Sequence, residues 1–254
     1  MLRSAFNLLA ATVVASLLAT PGAATAQDFA IFSDFNSDTP GLPPATGGAN
    51  QPTSIINAGV TVETTANGIS TQPLVIDDGT CNQSYFGGVY YDLPTTIEEG
   101  ALRVEATIAA NQLTDGVVIE IGVSYLGNSI VRLRITNTGT LADYPGTLLG
   151  TYTANTPFRF RGDIDISTRS WACTIDNELN GFDDDPVTHG LPFVNPPASI
   201  PYIDAFYMSL FGSFSACTGS RVIAYDDVLI VSFLPIFTDD FENGNTLQWT
   251  ATVP

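Results

Sequence analysis

The sequence predicts an all-β protein whose strands pack as a sandwich or a barrel. The strongest observation is the stretch 157–178, PFRFRGDIDISTRSWACTIDNE, in which apolar and charged residues alternate with a period of two. Shorter runs of β-forming residues recur along the chain between Gly, Asn, Pro and Ser, and no segment shows a capped helical period. Many short strands separated by turns are typical of sandwiches and barrels.

The stretch 157–178 itself predicts an antiparallel hairpin. Its first half, 157–166, places phenylalanines and isoleucines on one side and arginines and aspartates on the other. After a polar turn at 167–170, Trp171, Cys173 and Ile175 alternate with small or polar residues. We therefore expect two paired strands with one buried face and one polar face.

The rest of the chain predicts further strands and one long loop. We expect the loop at 180–200, because Asp, Gly and Pro are frequent there. The runs that read as strands are 54–64, 72–76, 86–92, 101–110, 116–126, 128–136, 148–153, 202–211 and 221–233.

The first residues have the features of a secretory signal peptide. Arg3 supplies a positive charge, an apolar run follows, and Ala24-Thr25-Ala26 fits the small-residue cleavage rule. The apolar run is too short to predict a membrane span. The expected organisation is a signal peptide at 1–26, a single β-sandwich domain at 27–233 that starts with Gln27, and a C-terminal tail at 234–254.

The charge balance excludes some partners. The chain has 26 acidic and 8 basic side chains, a net charge of −18, and all 8 basic residues are arginines. Such a field repels nucleic acids and anionic membranes. We expect an acidic protein that is secreted, periplasmic or on the cell surface, that does not insert into the membrane after signal cleavage, and that binds no nucleic acid.

The three cysteines, Cys81, Cys173 and Cys217, lie in the part expected to be exported. An oxidising compartment permits one disulfide and leaves one thiol. Cys173 falls on the apolar face of a strand, so we expect it to be buried as a small hydrophobic residue. The loop positions of the other two favour a Cys81–Cys217 pair, although the sequence leaves the connectivity open.

The hairpin resembles the paired strands of the concanavalin A-like jelly rolls. The resemblance lies in PFRFRGDIDI, a turn, and then WACTIDNE. That superfamily includes laminin G-like modules, legume-type lectins and laminarinase-type glucanases. The resemblance implies a jelly-roll β-sandwich.

The two ends of the domain strengthen this resemblance and imply a metal site. Residues 31–37, IFSDFNS, and 223–230, IAYDDVLI, are similar to the first and last strands of laminarinase-type jelly rolls. In that family acidic residues at these positions commonly hold a structural calcium. Matched residue by residue, they are Asp34 and Asp226 here. The period of two also places Asp226 on one strand face with Val228 and Ile230, where an ionised carboxylate needs a partner. The alternative is that this face is exposed to solvent and that Asp227 points inward.

The tail resembles a terminus found on many exported bacterial proteins, DxFESGxxxxW. The matching residues are DDFENG followed by a tryptophan, within 235–254. The resemblance implies a short sorting or surface tag, or the remnant of a second module.

The sequence contains no complete catalytic set. Laminarinase-type enzymes place Glu, Asp and Glu at alternate positions of one strand, whereas the corresponding segment here supplies only Asp163 and Asp165. No nucleophile motif of serine hydrolases occurs, and His189 is the single histidine. Sugars also stack on exposed aromatic rings. The candidate ligand-binding residues are therefore Tyr90, Tyr144, Asp163 and Asp165.

These observations favour a secreted, non-catalytic β-sandwich module that binds an extracellular glycan or acts in adhesion. The sequence leaves two alternatives open. One is a structural or surface-associated protein with no small ligand, and the other is an atypical glycoside-active enzyme. Neither the ligand nor the oligomeric state can be read from the sequence.

Overall fold

The computed structural model describes residues 25–56, 59–79, 86–97, 100–112, 117–125, 128–136, 138–143, 146–194, 202–211 and 219–235. These residues form sixteen β-strands and no helix. The strands are β1 Thr25–Ser33, β2 Ser54–Ile56, β3 Val60–Val62, β4 Leu74–Asp77, β5 Phe86–Ile97, β6 Ala101–Ala110, β7 Val117–Tyr125, β8 Asn128–Ser129, β9 Leu133–Ile135, β10 Thr140–Asp143, β11 Leu148–Thr151, β12 Phe158–Asp165, β13 Ser170–Asp176, β14 Val187–Pro192, β15 Ile203–Phe211 and β16 Val222–Pro235.

The strands form two antiparallel sheets that pack face to face. Sheet A has the order β14-β13-β12-β6-β16-β4-β3, and β1 also pairs with β16. Sheet B has the order β11-β10-β9-β7-β15-β5-β2, and β8 pairs with β7. The core between them draws on both sheets, for example Ile108 and Phe160 from sheet A and Phe206 and Met208 from sheet B. The expected β-sandwich is therefore confirmed.

The hairpin of β12 and β13 forms as the alternation predicts. Every second residue of β12 is buried, and Ile164 pairs with Trp171 across the two strands. Gly162 occupies an inward position where a Cβ would lie 3.0 Å from the ring of Phe160. The glycine thus makes room for that ring in the core. Cys173 is a buried free thiol, as expected from its position on the apolar face.

Three expectations about secondary structure are wrong, and one of them is the run 128–136, which is divided into β8 and β9. The run 54–64 is not one strand, because β2 joins sheet B and β3 joins sheet A. The expected loop 180–200 contains β14, which pairs with β13 at the edge of sheet A. The local pattern VTHGLP is weak for a strand, with Gly190 and Pro192 in it, but an edge strand tolerates both residues and the tertiary pairing overrides propensity.

Strand β16 changes face in its middle, which corrects the expectation that Asp226 shares a face with Val228 and Ile230. A register shift against β6 occurs between Asp226 and Leu229, and Asp227 has a positive φ of 49°. Before the bulge Tyr225 points into the core, and after it Val228 and Ile230 do so. Asp226 therefore lies on the outer face of sheet A, yet it is only 1% exposed.

Two of the cysteines are close in sequence to strand ends, since Cys81 follows β4 and Cys217 precedes β16. Asp77 lies opposite Val222, and just beyond this pair Arg221 forms a buried ion pair with Asp78. Cys81 and Cys217 themselves lie outside the described residues, so their pairing stays a prediction.

The expected domain boundaries also stay predictions. Residues 1–24 and 236–254, which hold most of the expected signal peptide and tail, lie outside the described residues. Strand β1 starts at Thr25, which pairs with Pro235 of β16. In the part of the chain that the structure describes, no helix has the length and hydropathy needed to cross a membrane.

Candidate functional site

An open groove of about 460 Å³ lies on the outer face of sheet A, and we call it the hairpin groove. Strands β6, β12, β13 and β14 form it, because their alternate side chains point away from the core. The residues that matter for its chemistry are Arg103, Arg161, Asp163, Ala172, Thr174, Phe182 and His189. The predicted ligand residues Asp163 and Asp165 both line it.

Asp163 forms an ion pair in this groove. It lies directly opposite Arg103 of β6, and the distance from Arg103 Nε to Asp163 Oδ1 is 2.5 Å. The Asp163 side chain is 38% exposed. Its carboxylate is therefore held in place by a neighbour while solvent still reaches it.

Glu105 of β6 is a buried carboxylate that does not line the groove itself but binds Arg161, which does. Its side chain is 3% exposed. Arg161 donates to it through Nε at 2.8 Å, and Arg159 donates through Nη2 at 3.3 Å. Two guanidinium groups thus compensate the burial of one carboxylate.

Phe182 covers these two arginines. Its ring centroid is 4.0 Å from the guanidinium carbon of Arg161 and 4.7 Å from that of Arg159. The ring is 6% exposed. Both arginines can therefore form cation–π contacts with it while they bind Glu105.

The loop that carries Phe182 is organised by Asp176, the last residue of β13. This carboxylate is fully buried and accepts hydrogen bonds from the backbone N–H groups of Glu178, Leu179 and Gly181. These bonds fold the loop back over the sheet. The position of Phe182 above the arginines follows from this local structure.

Asp165 caps the hairpin turn. Its Oδ1 accepts hydrogen bonds from the N–H groups of Ser167 and Thr168 and from the Ser167 hydroxyl. Partial burial acts to raise the pKa of Asp165, but these hydrogen bonds outweigh it and hold that pKa below its ordinary value. The structure thus gives Asp165 a role in the turn.

Tyr90 lies on a different surface from the two aspartates. It belongs to β5 in sheet B, and its neighbour Tyr91 points into the core, so Tyr90 faces outward. Its ring stacks on that of Tyr207 with centroids 5.1 Å apart and an interplanar angle of 18°. The predicted ligand residues therefore fall on two separate faces, and Tyr144 lies outside the described residues.

The expected metal ligands lie near the junction of three strands. Strands β1 and β4 follow one another along the same edge of β16, and Asp226 and Asp227 sit on β16 between them. Asp226 accepts hydrogen bonds from the Thr71 hydroxyl and from the N–H of Asp227. Burial, then Asp227, and to a smaller extent Asp34, raise the pKa of Asp226 to about 8.

The charge at this junction is only partly compensated. Burial raises the pKa of Asp227 as well, Arg159 acts to lower it, and Asp34 raises it. Among the described residues no group of three or more acidic, His or Cys side chains is placed to hold a metal ion. The calcium site expected at Asp34 and Asp226 therefore stays a prediction, and what links the two carboxylates is the effect of Asp34 on the pKa of Asp226.

Sequence reasoning missed Glu105 and Phe182. Glu105 was visible only as one polar position in an alternating strand, and its partners Arg159 and Arg161 are more than fifty residues away along the chain. The available signal was the pattern of β6 itself, where a carboxylate alternates with apolar residues and needs a cationic neighbour.

The comparisons with known proteins show similarity of fold. No family model matches this chain, and no curated protein is similar to it. Among solved structures, the catalytic domain of a glycoside hydrolase family 131 protein from Coprinopsis cinerea matches with a TM-score of 0.51 and 15% identity, covering 78% of this chain and 91% of that one.

Two further solved structures match at lower TM-scores. Arcelin-5, a lectin-like defence protein from Phaseolus vulgaris, has a TM-score of 0.47 and 10% identity, covering 83% of this chain and 99% of that one. A sialidase has a TM-score of 0.48 and 13% identity over 68% of this chain, which spans only 17% of the sialidase. The fold of this protein is a concanavalin A-like jelly-roll β-sandwich.

Proposed function

We propose that this protein is a non-catalytic glycan-binding module that holds a sugar in the hairpin groove. The observation that carries the proposal is the groove itself, where oriented polar groups adjoin an aromatic ring. Arg103 uses its Nε for Asp163, and a guanidinium has five N–H donors in all. A few fixed polar groups beside apolar surface are what a small-molecule site usually offers.

The fold supports this proposal. The solved structures that share it include the catalytic domain of a glycoside hydrolase. Function does not follow from fold alone, so the groove rather than the likeness carries the argument.

The charge state of the groove favours binding over hydrolysis. Glycosidases need two carboxyl groups, one of which is protonated to act as the general acid. Here Asp163 accepts a hydrogen bond from Arg103 and Glu105 accepts one from Arg161, so both carboxylates are engaged as acceptors, and the pKa of Asp165 lies below its ordinary value. The described carboxyl groups with a raised pKa are Asp185, Asp226 and Asp227, which do not line the groove.

A structural role without a small ligand is the second candidate. It is favoured by the same ion pairs, because Arg103 and Arg161 already have partners within the protein. A glycan array separates the two candidates. We expect the wild type to bind at least one oligosaccharide and to release no reducing sugar from it. Binding to none would support the structural role, and measured hydrolysis would identify an enzyme.

We also propose that calcium joins the ends of the domain through Asp34 and Asp226. The support is the burial of Asp226, its raised pKa and the electrostatic influence of Asp34 on it. A bound cation would keep Asp226 ionised and would tie β1 to β16. We propose in addition that the protein is exported from the cell, that it is cleaved before Gln27 and that residues 234–254 form a terminal tag. The intact mass of the exported protein tests the cleavage.

A further inference from the structure

The charged side chains in and beside the hairpin groove occur as compensated sets. Arg103 faces Asp163, and both Arg159 and Arg161 bind Glu105. Asp165 adds one further negative charge at the turn end. The lining itself holds two arginines, Arg103 and Arg161, and two aspartates, Asp163 and Asp165, while Glu105 and Arg159 add one charge of each sign beside it. The groove therefore offers donors and acceptors without a net positive field.

Glu105 is the residue that keeps two of these arginines neutralised. Its side chain is 3% exposed, and its two arginine partners lie under the ring of Phe182. A solvent-borne carboxylate or sulfate would have to displace a carboxylate that is already buried, oriented and doubly hydrogen-bonded. Such an exchange gains little, because the protein's own anion occupies the donors.

We propose that Glu105 is a specificity-determining residue, which makes the groove accept neutral, hydroxyl-rich glycans and reject those that carry carboxylate or sulfate groups. This inference rests on the proposed glycan binding and adds the class of ligand to it. Rejection has two sources, namely the neutralised arginines and the chain's net charge of −18. A neutral sugar does not need a free arginine for its binding and is not repelled by the negative charge of the chain.

The test compares the wild type with Glu105→Gln, which keeps the size and shape of the side chain and removes its charge. Each neutral oligosaccharide on the array is paired with the same oligosaccharide oxidised at C6 to the uronate. We expect the wild type to prefer the neutral member. Glu105→Gln should gain about tenfold in affinity for the uronate, since one charge-assisted hydrogen bond is worth roughly that much.

Two further variants keep this test independent of folding. Asp163→Asn frees Arg103 at a more exposed position, and it should gain uronate affinity even if Glu105→Gln is too unstable to assay. Glu63→Gln is the matched control, because Glu63 follows β3 at the opposite edge of sheet A. This variant should change neither the affinity for the neutral oligosaccharide nor the affinity for its uronate.

The outcomes separate the two levels of the proposal. A wild type that binds uronates as well as or better than their neutral counterparts would overturn the inference and leave glycan binding intact. Uronate affinity that does not rise in either Glu105→Gln or Asp163→Asn would also overturn it. A wild type that binds no member of any pair would overturn the proposed function, and the inference with it.

Discussion

Two carboxylates on the outer face of sheet A are almost fully buried and are treated in opposite ways. Glu105 has a side chain that is 3% exposed and sits between two arginines. Asp226 is 1% exposed and sits beside Asp227, near enough to Asp34 for that carboxylate to raise its pKa. The two arginines compensate the buried charge of Glu105. The buried charge of Asp226 is compensated only when Asp226 takes up a proton or binds an external cation.

The difference shows how position in the sheet determines chemistry. Glu105 lies in the middle of β6, where the neighbouring strand β12 presents Arg161 directly across from it. Asp226 lies at a bulge, near the ends of β1 and β4. The guanidinium of Arg159 acts to lower the pKa of its neighbour Asp227. The regular region thus neutralises its buried carboxylate within the sheet, whereas the irregular one leaves the charge that the proposed cation would neutralise.

The largest expected effect comes from breaking the compensated region. Arg161→Ala removes the closer partner of Glu105 and one contact of Phe182. We expect the free energy of unfolding to fall by about 3 kcal/mol, because an incompletely paired carboxylate stays buried. Urea denaturation measures it.

Arg103→Ala is the control for that variant, because its partner Asp163 is 38% exposed. We expect a loss below about 1 kcal/mol. Equal losses in the two variants would contradict the distinction between the buried and the exposed pair.

The second prediction concerns the uncompensated region and calcium. If calcium binds only the folded protein, a hundredfold excess over Kd adds about 2.7 kcal/mol to stability. Chelation with EGTA should therefore lower the melting temperature of the wild type but not that of Asp226→Ala. Wild-type melting curves that coincide with and without the chelator would remove the calcium site.

The third prediction is the pH dependence of stability in EGTA. Because the pKa of Asp226 is about 8 in the folded protein, the folded state holds a proton that the unfolded state has lost above about pH 4. The free energy of unfolding should therefore fall as the pH rises from about 4 to about 8. Asp226→Asn should retain only the smaller slope that Asp227 contributes. Chemical denaturation across this range measures both, and a flat wild-type profile would contradict the account.

The smallest effect is expected from the two aspartates that the sequence singles out. The double variant Asp163→Asn/Asp165→Asn should leave the affinity for a neutral glycan within a few fold, because one carboxylate serves an exposed ion pair and the other a turn. Calorimetric titration measures it. A complete loss of binding would show instead that these carboxylates contact the sugar.

The regular parts of the fold could be predicted because their signal is local. The alternation in β12 specifies which residues are buried, and the buried free Cys173 follows from it. The two sheets and the absence of helices in the described part of the chain were also expected. An alternating pattern shows which residues of a single strand share a face, and it does not show which strand lies beside it.

The site could not be predicted in the same way, because it depends on which strands become neighbours. Glu105 acquires its role only when β6 and β12 pair, and Phe182 acquires its role only when Asp176 folds the loop over the sheet. The bulge in β16 likewise has no local signal, so the face of Asp226 was misassigned. Such features depend on tertiary pairing rather than on periodicity.

The most direct test of the account asks which sheet binds the sugar. Ala172→Phe would fill the floor of the hairpin groove without removing any ion pair, whereas Tyr90→Ala removes the stacked ring on sheet B. Calorimetric titration with the best neutral oligosaccharide should show at least about a tenfold loss of affinity for Ala172→Phe, the cost of roughly 1.4 kcal/mol of lost contacts. Tyr90→Ala should match the wild type. Unchanged binding by Ala172→Phe together with loss in Tyr90→Ala would place the glycan on sheet B and contradict the account.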